Sequence, residues 1–213
     1  MMRAMTQTVR SSPLALTVLG MLHTRPLHPY GIQRLIKQWG KDQVVNVGQR
    51  TSLYRTIERL EESGLVAVLA TGRDQQYPER TVYEITDAGR AVTREWLAEM
   101  LAVPKSEFPE FPAALSHIMM VSPQEALPLL ERRETALTAI QQGLEAGTAA
   151  AKDLPRVVTL ESEYLLATAT AQLDWIRSVI EDLRTGTLSW SEDELRSLAD
   201  ESVAQSGAVE PPV

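Results

Sequence analysis

The stretch from Thr51 to Val66, TSLYRTIERLEESGLV, decides the fold. Leu53, Ile57 and Leu60 recur at helical spacing on one face, while Thr51, Ser52, Arg55 and Arg59 fall on the opposite face. The first set can anchor a helix to a core; the second is left to reach a partner. Gly64 follows the run of helix formers as a C-terminal stop, and Leu65-Val66 opens a run with β character. This is the layout of a DNA-recognition helix that leads into a β-wing.

The flanking sequence supplies the rest of that unit. Ser12-Pro13 reads as an N-cap with proline at the first helical position, and Leu14, Val18, Leu19 and Leu22 give the first helix its buried stripe. His28-Pro29 starts a second helix in the same way, through Trp39, with Ile32, Leu35 and Ile36 inward and Arg34 and Lys37 outward. Gly40 ends it. After the third helix, residues 65–70 and 80–85 form strand-like runs around the polar tip Thr71-Gly72-Arg73-Asp74-Gln75-Gln76-Tyr77-Pro78-Glu79. Thr86 caps a fourth helix to about Ala102, with Val92, Trp96 and Leu97 among its apolar positions. Three helices and then a hairpin is winged helix-turn-helix order.

The second half reads as helices alone. Pro104 and Phe108-Pro109-Glu110-Phe111-Pro112 mark a linker. A short helix is expected near Ala113 to Met120. Ser122-Pro123-Gln124-Glu125 is a capping box for a long helix to about Ala150, which Pro128 is expected to kink or restart. Leu154-Pro155 divides it from another long helix, Arg156 to Thr185. That helix carries Val158, Leu165, Ile176, Val179 and Leu183 on one side and Tyr164, Ala171 and Trp175 on another, and two apolar faces need two partners. One is its own chain and the other a second copy, so Leu165, Trp175, Ile176, Val179 and Leu183 are the dimerisation candidates. Ser191 to Glu194 can cap a short extra helix. The predicted class is mainly α with a small β-hairpin. It comprises a flexible tail over 1–10, a winged helix-turn-helix domain over 11–103, an all-α dimerisation domain over 104–201 and a disordered tail over 202–213.

Composition is compatible with this reading. The chain has 213 residues and no cysteine, which excludes disulfides and thiolate metal sites and fits a reducing, cytoplasmic compartment. No apolar run is long enough to span a bilayer, and the start has no secretory signal, so no membrane partner is expected. The net charge of −7 divides unevenly: residues 1–100 carry 13 Lys+Arg against 10 Asp+Glu, giving +3, and residues 101–213 carry 8 against 18, giving −10. Positive charge lies where phosphates would sit. No phosphate loop, dinucleotide fingerprint, nucleophile elbow or metal-protease helix is present, and His23, His28 and His117 have no ligand spacing. The sequence therefore predicts no enzyme, cofactor or metal, and gives His23 and His28 loop or capping roles.

Candidate DNA contacts cluster on the first half of the third helix: Gln49, Arg50, Thr51, Ser52 and Arg55. Arg suits guanine O6 and N7, Gln suits adenine N6 and N7, and hydroxyls suit base edges or phosphates. Arg59 is the least secure, since Glu58 and Glu62 can pair with neighbouring arginines. Lys37 on the second helix, and Arg73 and Arg80 on the wing, are candidates for holding register on the backbone of double-stranded DNA. A rival reading is a winged-helix protein-interaction module that uses the same buried pattern without touching DNA.

Three stretches resemble the PadR family of transcriptional regulators. Ser52, Leu53, Tyr54, Arg59, Leu60, Glu61, Glu62, Gly64, Leu65 and Val66 match its third-helix signature. Upstream, Leu19-Gly20-Met21-Leu22 and Pro26-Leu27-His28-Pro29-Tyr30-Gly31-Ile32 are similar to its "L-G-x-L…P-L-H-G-Y-x-I"; downstream, Tyr83-Glu84-Ile85-Thr86-Asp87-Ala88-Gly89-Arg90 reproduces "Y-x-I-T-x-A-G-R". Pro29 and Gly31 depart from the family, which usually has Gly and an acidic residue there. The resemblance covers about residues 14–100. It implies a homodimeric repressor on a palindromic operator, with the Tyr54 hydroxyl near a phosphate. It also implies a small aromatic effector between domains, for which Trp96, Phe108 and Phe111 are the candidate walls.

Overall fold

The computed structural model describes residues 10–46, 50–72, 80–106, 108–191, 193–194 and 196–197, with the backbone alone at 50, 71, 72 and 80. The chain divides into two units, 1–107 and 108–213.

In the first unit, α1 (Pro13–Thr24) lies at the centre and touches α3 (Arg50–Glu62), α4 (Asp87–Ala102) and strand β2 (Arg80–Ile85). Ser12 caps α1 by accepting from the Ala15 N–H. In α2 (Pro29–Gln38) the cap is a histidine: His28 Nδ1 accepts the Gly31 N–H at 2.7 Å. The small residue at 31 leaves room for that cap, since a β-carbon there would lie 3.2 Å from the His28 ring.

At the end of α3, Gly64 takes φ +70, its N–H donates to Glu61 O, and the Leu65 N–H donates to Leu60 O. This left-handed turn satisfies the last carbonyls of the helix and turns the chain into β1 (Val66–Gly72). The two strands pair antiparallel, Val66 opposite Ile85 and Gly72 opposite Arg80, with a bulge at Leu69. Tyr83 also exchanges both backbone hydrogen bonds with Leu27, adding a one-residue third strand that sequence periodicity did not signal. Thr86 caps α4 by accepting from the Gly89 N–H.

Leu19, Leu22, Ile32, Ile36, Leu53, Ile57, Leu60 and Val66 are fully buried in one core with Trp96. Leu97, expected among the apolar positions of α4, is instead exposed. Arg90 donates to the His23 carbonyl and meets its Nδ1 at 3.1 Å, joining α4 to the end of α1.

The second unit opens with α5 (Glu110–Leu115) and a 3-10 turn at Ile118–Met120 where one short helix was expected. The capping box forms as read: Ser122 Oγ accepts the Glu125 N–H and Glu125 Oε2 accepts the Ser122 N–H. The helix it starts, α6 (Pro123–Ala150), neither ends nor restarts at Pro128. A proline one turn into a helix loses a single backbone bond, and the packed turns on either side hold the helix together.

Then α7 (Arg156–Thr185) returns antiparallel. Glu131 pairs with Arg184, Glu134 with Arg177, and Gln141 donates to Thr170. Leu130 and Leu137 meet Leu173, Ile176 and Ile180 in its core. The inward stripe of α7 is therefore Ala169, Leu173, Ile176 and Ile180, and Val158, grouped with Ile176 in the sequence, is 55% exposed. Ser191 and Glu194 form a second reciprocal cap at the end of the described chain.

Candidate nucleic-acid interface

The exposed face of α3 is organised by its buried one. Leu53, Ile57 and Leu60 point into the core, and Thr56 beside them is 3% exposed, its hydroxyl donating to Ser52 O at 2.8 Å. This leaves Thr51, Ser52, Arg55, Glu58, Arg59 and Glu62 lining one polar depression along the outer side of the helix.

Within it, charge changes along the axis. Thr51, Ser52 and Arg55 occupy the N-terminal half, and the two carboxylates come later. An approaching polyanion is attracted to the first half, where the helix dipole is positive, and repelled from the second. Among the described residues the Arg55 guanidinium makes no hydrogen bond or ion pair.

Arg59 is different: its Nε donates to Arg55 O and its Nη2 to Thr56 Oγ1, both at 3.3 Å. It lies back along its own helix. The sequence anticipated competition for Arg59 but named carboxylates as the rivals; the partners found are a carbonyl and a hydroxyl.

The other candidates take these places. Gln49 and Arg73 lie outside the described residues, Arg50 begins α3, and Arg80 opens β2 opposite Gly72. Lys37 is exposed on α2. Tyr54 is 44% exposed, at the border between the two faces. Nearby, Tyr83 has its hydroxyl pKa raised, first by burial and then by Glu61, Glu58 and Tyr54, so it stays a neutral phenol.

The three candidate effector walls do not share one environment. Trp96 is packed in the core of the first unit, 7% exposed, and so is part of its structure. Phe108 is 95% exposed. Phe111 packs in the second unit, edge-on to Trp175 with ring centroids 6.0 Å apart.

The dimerisation candidates divide similarly. Ile176 is fully buried, and Val179 and Leu183 pack beside it against the same chain, so Ile176 is not available to a second copy. Two stripes of similar apolarity run along α7, and periodicity alone did not say which one α6 covers. Trp175 is half-exposed and Leu165 partly buried. Val157, Leu160 and Tyr164, exposed at 74%, 49% and 71%, are the larger open apolar surface on α7. No described helix is long and apolar enough to cross a membrane, and no cluster of His, Asp or Glu among the described residues suits a metal ion.

Residues 18–95 match the family described as "Transcriptional regulator PadR-like family". The negative transcriptional regulator PadR of Bacillus subtilis (strain 168) is 23% identical over 181 residues, covering 78% of this chain and 95% of the relative. Among solved structures, B. subtilis PadR in complex with operator DNA is similar with a TM-score of 0.68 at 20% identity, over 80% of this chain and 98% of that one. Its complex with p-coumaric acid has a TM-score of 0.64 at 19% identity, over 81% and 99%. The match runs from the middle of α1 through α2, α3 and both strands to the middle of α4, and the shared fold extends into the helical hairpin. Residues 18–95 thus form a domain that matches the PadR-like family, and the chain shares its fold with B. subtilis PadR across 80% of its length.

Proposed function

We propose that the protein is a homodimeric, sequence-specific repressor that binds palindromic double-stranded DNA through α3 and is released by a small-molecule effector. One observation carries the DNA half of this reading. On a helix whose other face is fully buried, Arg55 stands exposed beside Thr51 and Ser52, its guanidinium uncommitted among the described residues. An exposed arginine on a core-anchored helix is suited to bidentate contact with guanine.

Support for the two-copy arrangement comes from the apolar surface of α7 at Val157, Leu160 and Tyr164, which nothing in the described chain covers. Two-fold symmetry would place the reading helices in half-sites about one turn of DNA apart, roughly 34 Å or a multiple of it. The relatives' bound molecules, operator DNA and p-coumaric acid, favour both a DNA partner and an effector.

The test is selection of bound fragments from random duplex DNA, followed by anisotropy titrations of the selected site at rising salt. Enrichment of a palindrome, with log affinity falling linearly against log salt, is the expected result. No enrichment and a flat salt response would instead favour a winged-helix protein-interaction module.

A further inference from the structure

Glu58 lies three residues after Arg55 on the outward side of α3 and lines the same polar depression. Carboxylate and guanidinium at that spacing can pair on a helix surface. Here they do not: among the described residues neither Glu58 nor Arg55 makes a hydrogen bond or ion pair. The next cation, Arg59, is folded back onto Arg55 O and Thr56 Oγ1, both at 3.3 Å, and is spent there rather than on Glu58. A donor-only side chain and an acceptor-only one therefore stand open on one face of a helix anchored by Leu53, Ile57 and Leu60.

A carboxylate on a face that meets a polyanion adds repulsion against every phosphate it approaches, whatever the sequence. Only a contact that depends on the base offsets that cost. In the major groove the donors on base edges are the exocyclic amino groups, N4 of cytosine and N6 of adenine. An ionised carboxylate accepts through both oxygens and donates through neither. Adenine sets its N7 acceptor beside N6, where it opposes the second carboxylate oxygen, whereas cytosine presents its amino group with no acceptor of its own beside it. Cytosine is the better partner. Three residues along a helix advance about 4.5 Å, close to the roughly 3.4 Å between stacked base pairs, so Arg55 and Glu58 suit neighbouring pairs.

We infer that Glu58 is a specificity-determining residue of α3, accepting a hydrogen bond from the N4 amino group of a cytosine one base pair away from the guanine that Arg55 contacts. The inference rests on the DNA-binding reading above and adds to it the identity of a second base. With cytosine in place, the carboxylate exchanges water for an amino donor. With guanine or thymine, whose major-groove edges carry only acceptors and a methyl group, it is held unpaired among acceptors and phosphates. Glu58 thus discriminates more by penalising the wrong site than by strengthening the right one.

The test is selection from random duplex DNA with the full-length protein and its Glu58→Gln and Glu58→Ala variants, followed by anisotropy titrations on single-base changes of the selected site. Position 58 is exposed, and circular dichroism checks that both variants are folded. The wild type is expected to select, in each half-site, a guanine with a cytosine in the adjoining pair, and to lose on the order of tenfold in affinity when that cytosine is replaced. Glu58→Gln should move the preference at that position from cytosine to adenine, since an amide matches adenine N6 and N7. Glu58→Ala should erase the preference there and tighten binding to unrelated DNA. If both variants bind every sequence more tightly but keep the wild-type base preferences, the carboxylate acts on phosphates alone and the assignment falls. A selected palindrome without that cytosine also overturns it, and leaves the DNA-binding reading in place. Enrichment of no sequence ends that reading, and this assignment with it.

Discussion

Gly89, in the first turn of α4, lies directly against the carbonyl of Leu65, the residue that follows the stop of α3. A β-carbon at 89 would collide with that oxygen and with the Ile85 side chain, at 2.8 Å. The Leu65 oxygen also accepts the Thr86 N–H at 3.1 Å, while the Thr86 hydroxyl donates chiefly to Gly64 O at 2.7 Å. One backbone oxygen thus joins the end of the candidate recognition helix to the helix behind the wing.

This contact is the basis of a stability prediction. Gly89→Ala must move backbone, since the obstacle is a carbonyl rather than a pliable side chain, and overpacking of this kind costs about 1–3 kcal/mol. Urea unfolding followed by tryptophan fluorescence should show a lower midpoint, with Trp96 reporting from the same core. An unchanged midpoint would mean that α4 yields freely.

Arg55 and Arg59 share a face but not a state. Arg55→Ala is expected to weaken operator binding by about 1–3 kcal/mol and relax preference at one base position. Arg59→Ala should cost less, because two of its donors are already engaged with Arg55 O and Thr56 Oγ1. Anisotropy titrations on the selected operator rank the two. The reverse order would mean that Arg59 leaves its helix to meet DNA.

On α7 the buried and exposed residues should separate folding from association. Ile176→Ala leaves a hole in a packed core and is expected to cost about 2–5 kcal/mol of stability. Tyr164→Glu puts a charge on an open apolar surface, so it should dissociate dimers and leave the monomer folded. Sedimentation and thermal unfolding of both variants decide. Dimers that survive Tyr164→Glu would move the association surface elsewhere.

Two carboxylates set a pH dependence. Glu125 is held below the ordinary value of 4.5 by the Ser122 N–H and hydroxyl, and Glu163 by Arg156 and then Thr159. A carboxyl lowered in the folded state stabilises fully above its unfolded value and loses that contribution as pH falls through the folded one. The melting temperature should therefore fall with acidification below about pH 4.5. In the Glu125→Gln, Glu163→Gln double variant that fall should be shallower, with no comparable change in slope near neutrality. An identical acid slope in both proteins would show that other groups govern it.

Features decided within a few residues were legible in the sequence. Ser12, His28, Thr86 and the Ser122/Glu125 pair cap the helices they precede, and Gly64 ends α3, because each depends on hydrogen bonds or a backbone angle spanning three to five residues. The two faces of α3 were readable for the same reason: a helix carries its own periodicity.

What required tertiary structure was the choice among equivalent partners. Two apolar stripes on α7 satisfy the same period, and only the approach of α6 covers Ile176 and leaves Tyr164 open. Trp96 belongs to a core and not to a pocket wall because α1, far away in sequence, packs against α4. Arg133 resembles any other helical arginine until Phe111 stacks on it and the surrounding walls withdraw its Nε from water. Burial is a property of the neighbours a residue meets, and those neighbours are set by long-range packing, to which local spacing is indifferent.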